Sequence, residues 1–141
     1  MKIEDFLEKA EIDAKTDETS LDSESIGLPY TEFEYMKLYS SYKFKLNECK
    51  NEYNTLKKWK RDYYLGLQPK EVYDKKPFEL KIRKNDLSIY IESDPDLQKI
   101  QKKIFYYEEL CSLSEQMKKI FDNKKWNIKN AIADRVYKQG L

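Results

Sequence analysis

The chain has no histidine, and of its 141 residues only two are cysteine, three glycine and four proline. The missing histidine removes the commonest general base and the commonest metal ligand. Cys49 and Cys111 cannot fill a four-ligand zinc site by themselves. They read as reduced, core-forming thiols of a cytosol-like compartment rather than as a disulfide. There is no Walker loop, no Gly-x-Gly-x-x-Gly run and no nucleophile elbow. No run of about 18 apolar residues occurs, so no membrane span is expected. The start, Met1-Lys2-Ile3-Glu4-Asp5, has no apolar signal core, so export is not expected. Scarce turn residues combined with 38% charged side chains favour long solvated helices over a sandwich or barrel. The expectation is a mainly α, non-enzymatic protein that needs no cofactor and no metal.

The net charge of +1 conceals a strong polarity. Residues 1–34 hold 11 acidic and 3 basic side chains, residues 37–84 hold 14 basic and 6 acidic, and residues 85–141 hold 10 basic and 9 acidic. An acidic arm and a basic middle suit a protein that binds a polyanion with one part and a basic partner, or its own middle, with the other.

Four regions follow from the patterning. Residues 1–29 form an acidic N-terminal arm, with a short amphipathic helix over 2–11, a mobile linker over 13–25 and a break at Gly27-Leu28-Pro29. Residues 30–67 hold a long basic helix. Tyr35, Tyr39, Tyr42, Leu46, Cys49, Tyr53, Leu56 and Tyr63 follow heptad spacing, with Lys60 as its one defect. Such a helix, about 50 Å long, needs another helix or another subunit along its apolar seam. Residues 68–93 are a basic loop followed by a small β-hairpin, because Phe78, Leu80 and Ile82 alternate with charged residues and Leu87, Ile89 and Ile91 alternate again. Residues 94–141 are a C-terminal helical hairpin. Asp94-Pro95 starts its first helix as N-cap and N1, Asp122 to Lys125 turns the chain, and a last helix runs over about 126–138.

The most informative stretch is residues 57–66, Lys-Lys-Trp-Lys-Arg-Asp-Tyr-Tyr-Leu-Gly. Cations bind phosphates without regard to base sequence, and aromatic rings stack on unpaired bases. Lys57, Lys58, Trp59, Lys60, Arg61 and Tyr64 are therefore candidate contacts for single-stranded nucleic acid. Lys43 and Lys50, stepping by seven towards Lys57, line the same flank. The bland alternative is a coiled-coil assembly protein whose lysines only keep it solvated. A second alternative, a nuclease built on Glu92, Asp94 and Asp96, fits those residues less well than a helix cap does.

The basic run leading into Asp62-Tyr63-Tyr64-x-Gly66 resembles the phage UvsY family of recombination mediators. Ile3-Glu4-Asp5, Asp17 to Glu24 around Leu21, Ile89-Tyr90-Ile91 before Asp94, and Trp126-x-Ile128-Lys129-Asn130 agree with that family in order and spacing, so the resemblance covers nearly the whole chain. It implies a single-stranded-DNA-binding mediator that helps load the phage recombinase onto DNA covered by the phage single-strand-binding protein. The setting would be recombination-dependent replication and repair in the cytoplasm of the bacterial host. It implies Lys58 and Lys60 as the cations that precede Asp-Tyr-Tyr. It further implies a ring-like homo-oligomer assembled through the C-terminal region, which carries over to Ile120, Phe121, Trp126, Ile128, Ile132 and Val136.

Overall fold

The structure is a computed structural model and describes residues 2–78 and 80–140. Five α-helices account for most of it: α1 (Ile3–Ala14), α2 (Leu21–Tyr64), α3 (Lys70–Lys75), α4 (Leu87–Glu92) and α5 (Pro95–Lys138). No strand occurs among the described residues. The chain divides into two units, Met1–Lys43 with Glu109–Leu141, and Phe44–Glu108. Helices α2 and α5 each contribute a stretch to both.

The main α class is as expected, but three of its details are corrected. The β-hairpin does not form. Residues 80–83 have no regular secondary structure, Lys84–Asp86 is a turn of 3₁₀ helix, and α4 follows. A strand would place Leu87, Ile89 and Ile91 on one face. In the helix Leu87 and Ile91 lie four residues apart and are buried, while Ile89 is exposed. Two isolated strands are marginal in water, whereas a helical turn pairs its own backbone.

The C-terminal hairpin does not form either, because α5 runs unbroken through Asp122 to Lys125. Those four residues are polar but include no glycine or proline to break a helix. Leu110, Ser114, Met117, Phe121, Lys124 and Ile128 are all buried at alternating steps of four and three, so Lys124 occupies a core position. Its ammonium donates to the carbonyls of Asp13 (2.9 Å) and Lys15 (2.8 Å) and pairs with Glu24 at 2.7 Å. A cation on the last carbonyls of α1 is favoured by the helix dipole and by unfilled hydrogen-bonding capacity there. Lys124→Met is expected to lower stability by about 1–3 kcal/mol, read as a lower midpoint of urea unfolding with an unchanged slope.

The expected break at Gly27-Leu28-Pro29 and the later part of the linker before it, from Leu21 on, are instead the first turns of α2, while residues 15–20 stay non-helical between α1 and α2. Proline inside a helix costs about 3 kcal/mol. Leu21, Leu28 and Tyr35, seven residues apart, are each no more than 4% exposed. Burying a leucine stabilises by roughly 1.5–3 kcal/mol, so the seam outweighs the proline. Around it the first unit closes on Phe6 of α1. Phe6 meets Tyr35 edge to face at 5.7 Å, and Tyr35 meets Phe121 at 5.3 Å. The Tyr35 hydroxyl donates to Asp13 at 2.7 Å.

The end of α2 is built as the sequence reads. Gly66 takes φ of +76°, a region in which only glycine is comfortable. The Leu67 N–H reaches back to the Asp62 carbonyl (2.8 Å) and the Gly66 N–H to that of Tyr63 (3.2 Å), which satisfies carbonyls that the helix leaves open. In the second unit Leu87, Ile91 and Leu97 form a buried cluster against Tyr53, Leu56, Tyr64, Leu65 and Ile82.

Candidate nucleic-acid interface

The last turns of α2, in the second unit, carry the cations and the rings. Side chains three, four and seven residues apart share a helix face. Tyr53, Leu56, Lys60 and Tyr63 therefore turn inward, and Lys57, Lys58 and Arg61 are exposed. Lys50, one seven-residue step before Lys57, is exposed too. Lys50, Lys58 and Arg61 make no ion pair among the described residues, and the Lys57 ammonium lies 5.8 Å from the Tyr53 ring. Lys43 belongs to the first unit, with its ammonium 5.7 Å from the ring of Tyr39.

Lys60 is placed differently. The one defect in the heptad is filled by an ion pair. Lys60 is 8% exposed, and its ammonium sits 2.7 Å from Asp96 and 3.1 Å from Asp94. Asp94, 1% exposed, is the hub of this part of the fold. One of its carboxylate oxygens accepts the Asp96 and Leu97 N–H groups at 3.0 Å, and the other accepts the Tyr64 hydroxyl at 2.5 Å. Burial pushes the Asp94 carboxyl up. The hydrogen bonds from Tyr64 and Leu97 and the adjacent Lys60 ammonium outweigh it, so the group is held below the usual range. Burial likewise pushes Lys60 down, and its bonds to Asp96 and Asp94 hold it net above its ordinary value. Burial, then the bond to Asp94, raises Tyr64. The acids tempting as a metal site thus act as helix cap and counter-ion. Among the described residues no group of three or more metal-binding side chains occurs.

The rings form one assembly. Trp59 stacks on Tyr63 with centroids 5.6 Å apart and planes 10° from parallel, and Tyr73 stacks on Tyr63 at 5.4 Å and 13°. Tyr64 packs against Tyr63, Phe78 and Tyr90. Tyr64 is therefore tied down by its hydroxyl and its ring together. Trp59 remains 37% exposed, a flat surface at the margin of a stack beside three unpaired or ring-bound cations. Sequence reasoning did not find Asp94 and Asp96 as partners of Lys60. The signal was present: a lysine at a core position calls for a buried counter-charge, and Asp94 caps the start of α5.

The residues carried to the C-terminal region divide between core and surface. Phe121 and Ile128 are buried in the first unit, whereas Ile120, Trp126, Ile132 and Val136 are exposed.

The family model described as "Recombination, repair and ssDNA binding protein UvsY" matches residues 9–141. The chain belongs to the UvsY family. No curated protein matches its sequence significantly. Among solved structures, crystal structures of the bacteriophage T4 recombination mediator protein UvsY are similar to it. In one lattice the identity is 18%, covering 98% of this chain and 99% of that one, with a TM-score of 0.85. In another it is 20%, covering 99% and 98%, with a TM-score of 0.86. At such identity the likeness of this UvsY-family member speaks for the fold alone. Among the described residues no helix is long and apolar enough to cross a membrane.

Proposed function

We propose that this chain is a non-enzymatic recombination mediator. It holds single-stranded DNA at the end of α2 and helps the phage recombinase replace the single-strand-binding protein on that DNA, during replication and repair in the host cytoplasm. The observation that carries the reading is the exposed set Lys57, Lys58 and Arg61 beside Trp59, in a chain of the UvsY family. The cations neutralise phosphates and release counterions, each contributing about −0.7 to the slope of log affinity against log salt. A base stacked on Trp59 contributes roughly 1–3 kcal/mol. Lys50 extends the cationic flank. Lys60 and Tyr64 serve by holding the site in shape. Fluorescence anisotropy of a labelled oligo-dT across a salt series tests this. Binding that is absent or insensitive to salt would assign the chain to assembly alone, as a coiled-coil structural protein.

A homo-oligomeric ring accounts for the C-terminal end of α5. Ile128, Ile132 and Val136 continue one face at four-residue steps. Ile128 is 3% exposed, while Ile132 and Val136 are 37% and 43% exposed. The apolar face thus outruns its cover within the chain, as a surface awaiting a second copy does. Repeating a weak strand site around a ring turns modest affinity into avidity. Val136→Asp is expected to lower the mass measured by light scattering and to weaken strand binding as a consequence. An unchanged mass would remove this face from the interface.

A further inference from the structure

We propose that the strand-binding surface continues beyond α2 onto residues 68–76. There Lys70, Lys75 and Lys76 supply a second set of phosphate contacts, and Tyr73 is their positioning residue. This rests on the proposed single-strand binding at the end of α2 and extends it to a segment that the basic run 57–61 does not include.

The segment is tied to the cationic turn at several points. The Gln68 side-chain amide donates to the Trp59 carbonyl at 3.1 Å. The Tyr73 hydroxyl donates to the Tyr63 carbonyl at 2.8 Å and accepts the Gln68 N–H at 3.2 Å. The Tyr63 hydroxyl donates to the Lys76 carbonyl at 2.9 Å. The Tyr73 ring stacks on Tyr63, the ring that also carries Trp59. A six-residue helix such as α3 has no stability of its own, so its place is set by this tether and above all by Tyr73.

Every tethering group is uncharged, which leaves the cations outside. Lys70, Lys75 and Lys76 are exposed and make no ion pair among the described residues. Glu71 and Asp74 share α3 with them without pairing, although Glu71 and Lys75 stand four residues apart. Lys60, by contrast, is held by two carboxylates. A polyanion that reaches Lys58 and Arg61 thus meets a second cationic group, fixed to the same turn and without an ion pair among the described residues. The stacked rings beside both groups favour an unpaired polynucleotide over an acidic protein.

The test compares Lys70→Gln/Lys75→Gln/Lys76→Gln with Lys58→Gln/Arg61→Gln on the full chain, using oligo-dT anisotropy across a salt series. The triple variant is expected to shallow the salt slope by about 2 and to weaken binding roughly 100-fold at about 0.1 M salt. An unchanged slope in the triple variant, with a shallower one in Lys58→Gln/Arg61→Gln, overturns the extension and leaves the α2 site standing. Unchanged slopes in both overturn the strand-binding reading itself. Tyr73→Ala is expected to shallow the slope as the lysine changes do, and to add nothing when combined with them. Tyr73→Phe, which keeps the stack, is expected to recover part of the loss. Further weakening by Tyr73→Ala in the triple background would reduce Tyr73 to a general structural role and overturn its assignment.

Discussion

Asp94→Ala is expected to destabilise the fold by about 3–5 kcal/mol, the range for removing one partner of a buried ion pair. Two losses coincide. The N-cap of α5 disappears, worth about 1 kcal/mol, and the Lys60 ammonium and Tyr64 hydroxyl lose their shared acceptor. Asp96 stays 2.7 Å from Lys60, which places the outcome nearer the lower bound. Lys60→Met is expected to be milder, because Asp94 keeps three hydrogen bonds and methionine fills the position. Urea unfolding of both variants checks this; equal midpoints for Asp94→Ala and the parent chain would refute it. The pH dependence follows from the direction of each shift. The Asp94 carboxyl is depressed in the folded state, so its contribution is fully present well above the unfolded value of about 3.9. It is lost as pH falls through the lower folded value. Lys60 is raised, so its contribution is present below about 10.4 and is lost as pH rises through the folded value. The Asp94→Ala chain should therefore show a flatter stability profile below about pH 4 than the parent.

Lys57→Gln/Lys58→Gln/Arg61→Gln is expected to weaken oligo-dT binding roughly 10²–10³-fold at about 0.05 M salt and to shallow the salt slope by about 2. Folding stability should stay within about 0.5 kcal/mol of the parent, since all three side chains are exposed and surface changes of this kind are small. Lys60→Met supplies the contrast. It removes a cation from the same turn, yet the slope should not move, because that ammonium is turned to Asp94 and Asp96. A drop of about 0.7 for Lys60→Met would mean that its ion pairs open when the strand binds. Adjacent lysines in one basic run would thus be separated by their physical roles, one read in affinity and the other in stability.

Much of this was legible in the residues, and the failures share a cause. The seam from Tyr35 to Tyr63, the Gly66 stop and the Asp94-Pro95 start rest on local chemistry, which the structure keeps. The fold departs from local signals where burial over a longer span overrides them. Pro29 breaks a helix unless Leu28 and Tyr35 are held on either side of it. Asp122 to Lys125 reads as a turn unless Lys124 finds the carbonyls of Asp13 and Lys15, more than 100 residues away in the chain. The alternation at Leu87, Ile89 and Ile91 also contains a four-residue step, and only the partners of Leu87 and Ile91 decide which period counts. At the candidate site, the exposed cations and Trp59 were visible as residue types. The commitment of Lys60 and Tyr64 was not, because their partner lies at the start of another helix.

Long heptad stripes have an inherent weakness: shifted by one repeat, apolar side chains meet apolar side chains again at little loss. The two buried lysines remove that freedom. Sliding α2 past the start of α5 would carry Lys60 away from Asp94, and sliding α5 past the end of α1 would carry Lys124 into hydrocarbon. Either misregistered pairing would leave a naked charge in a dry interior, at a penalty of several kcal/mol. Within each unit, then, an impurity in the stripe acts as a pawl that locks its helix into a single alignment.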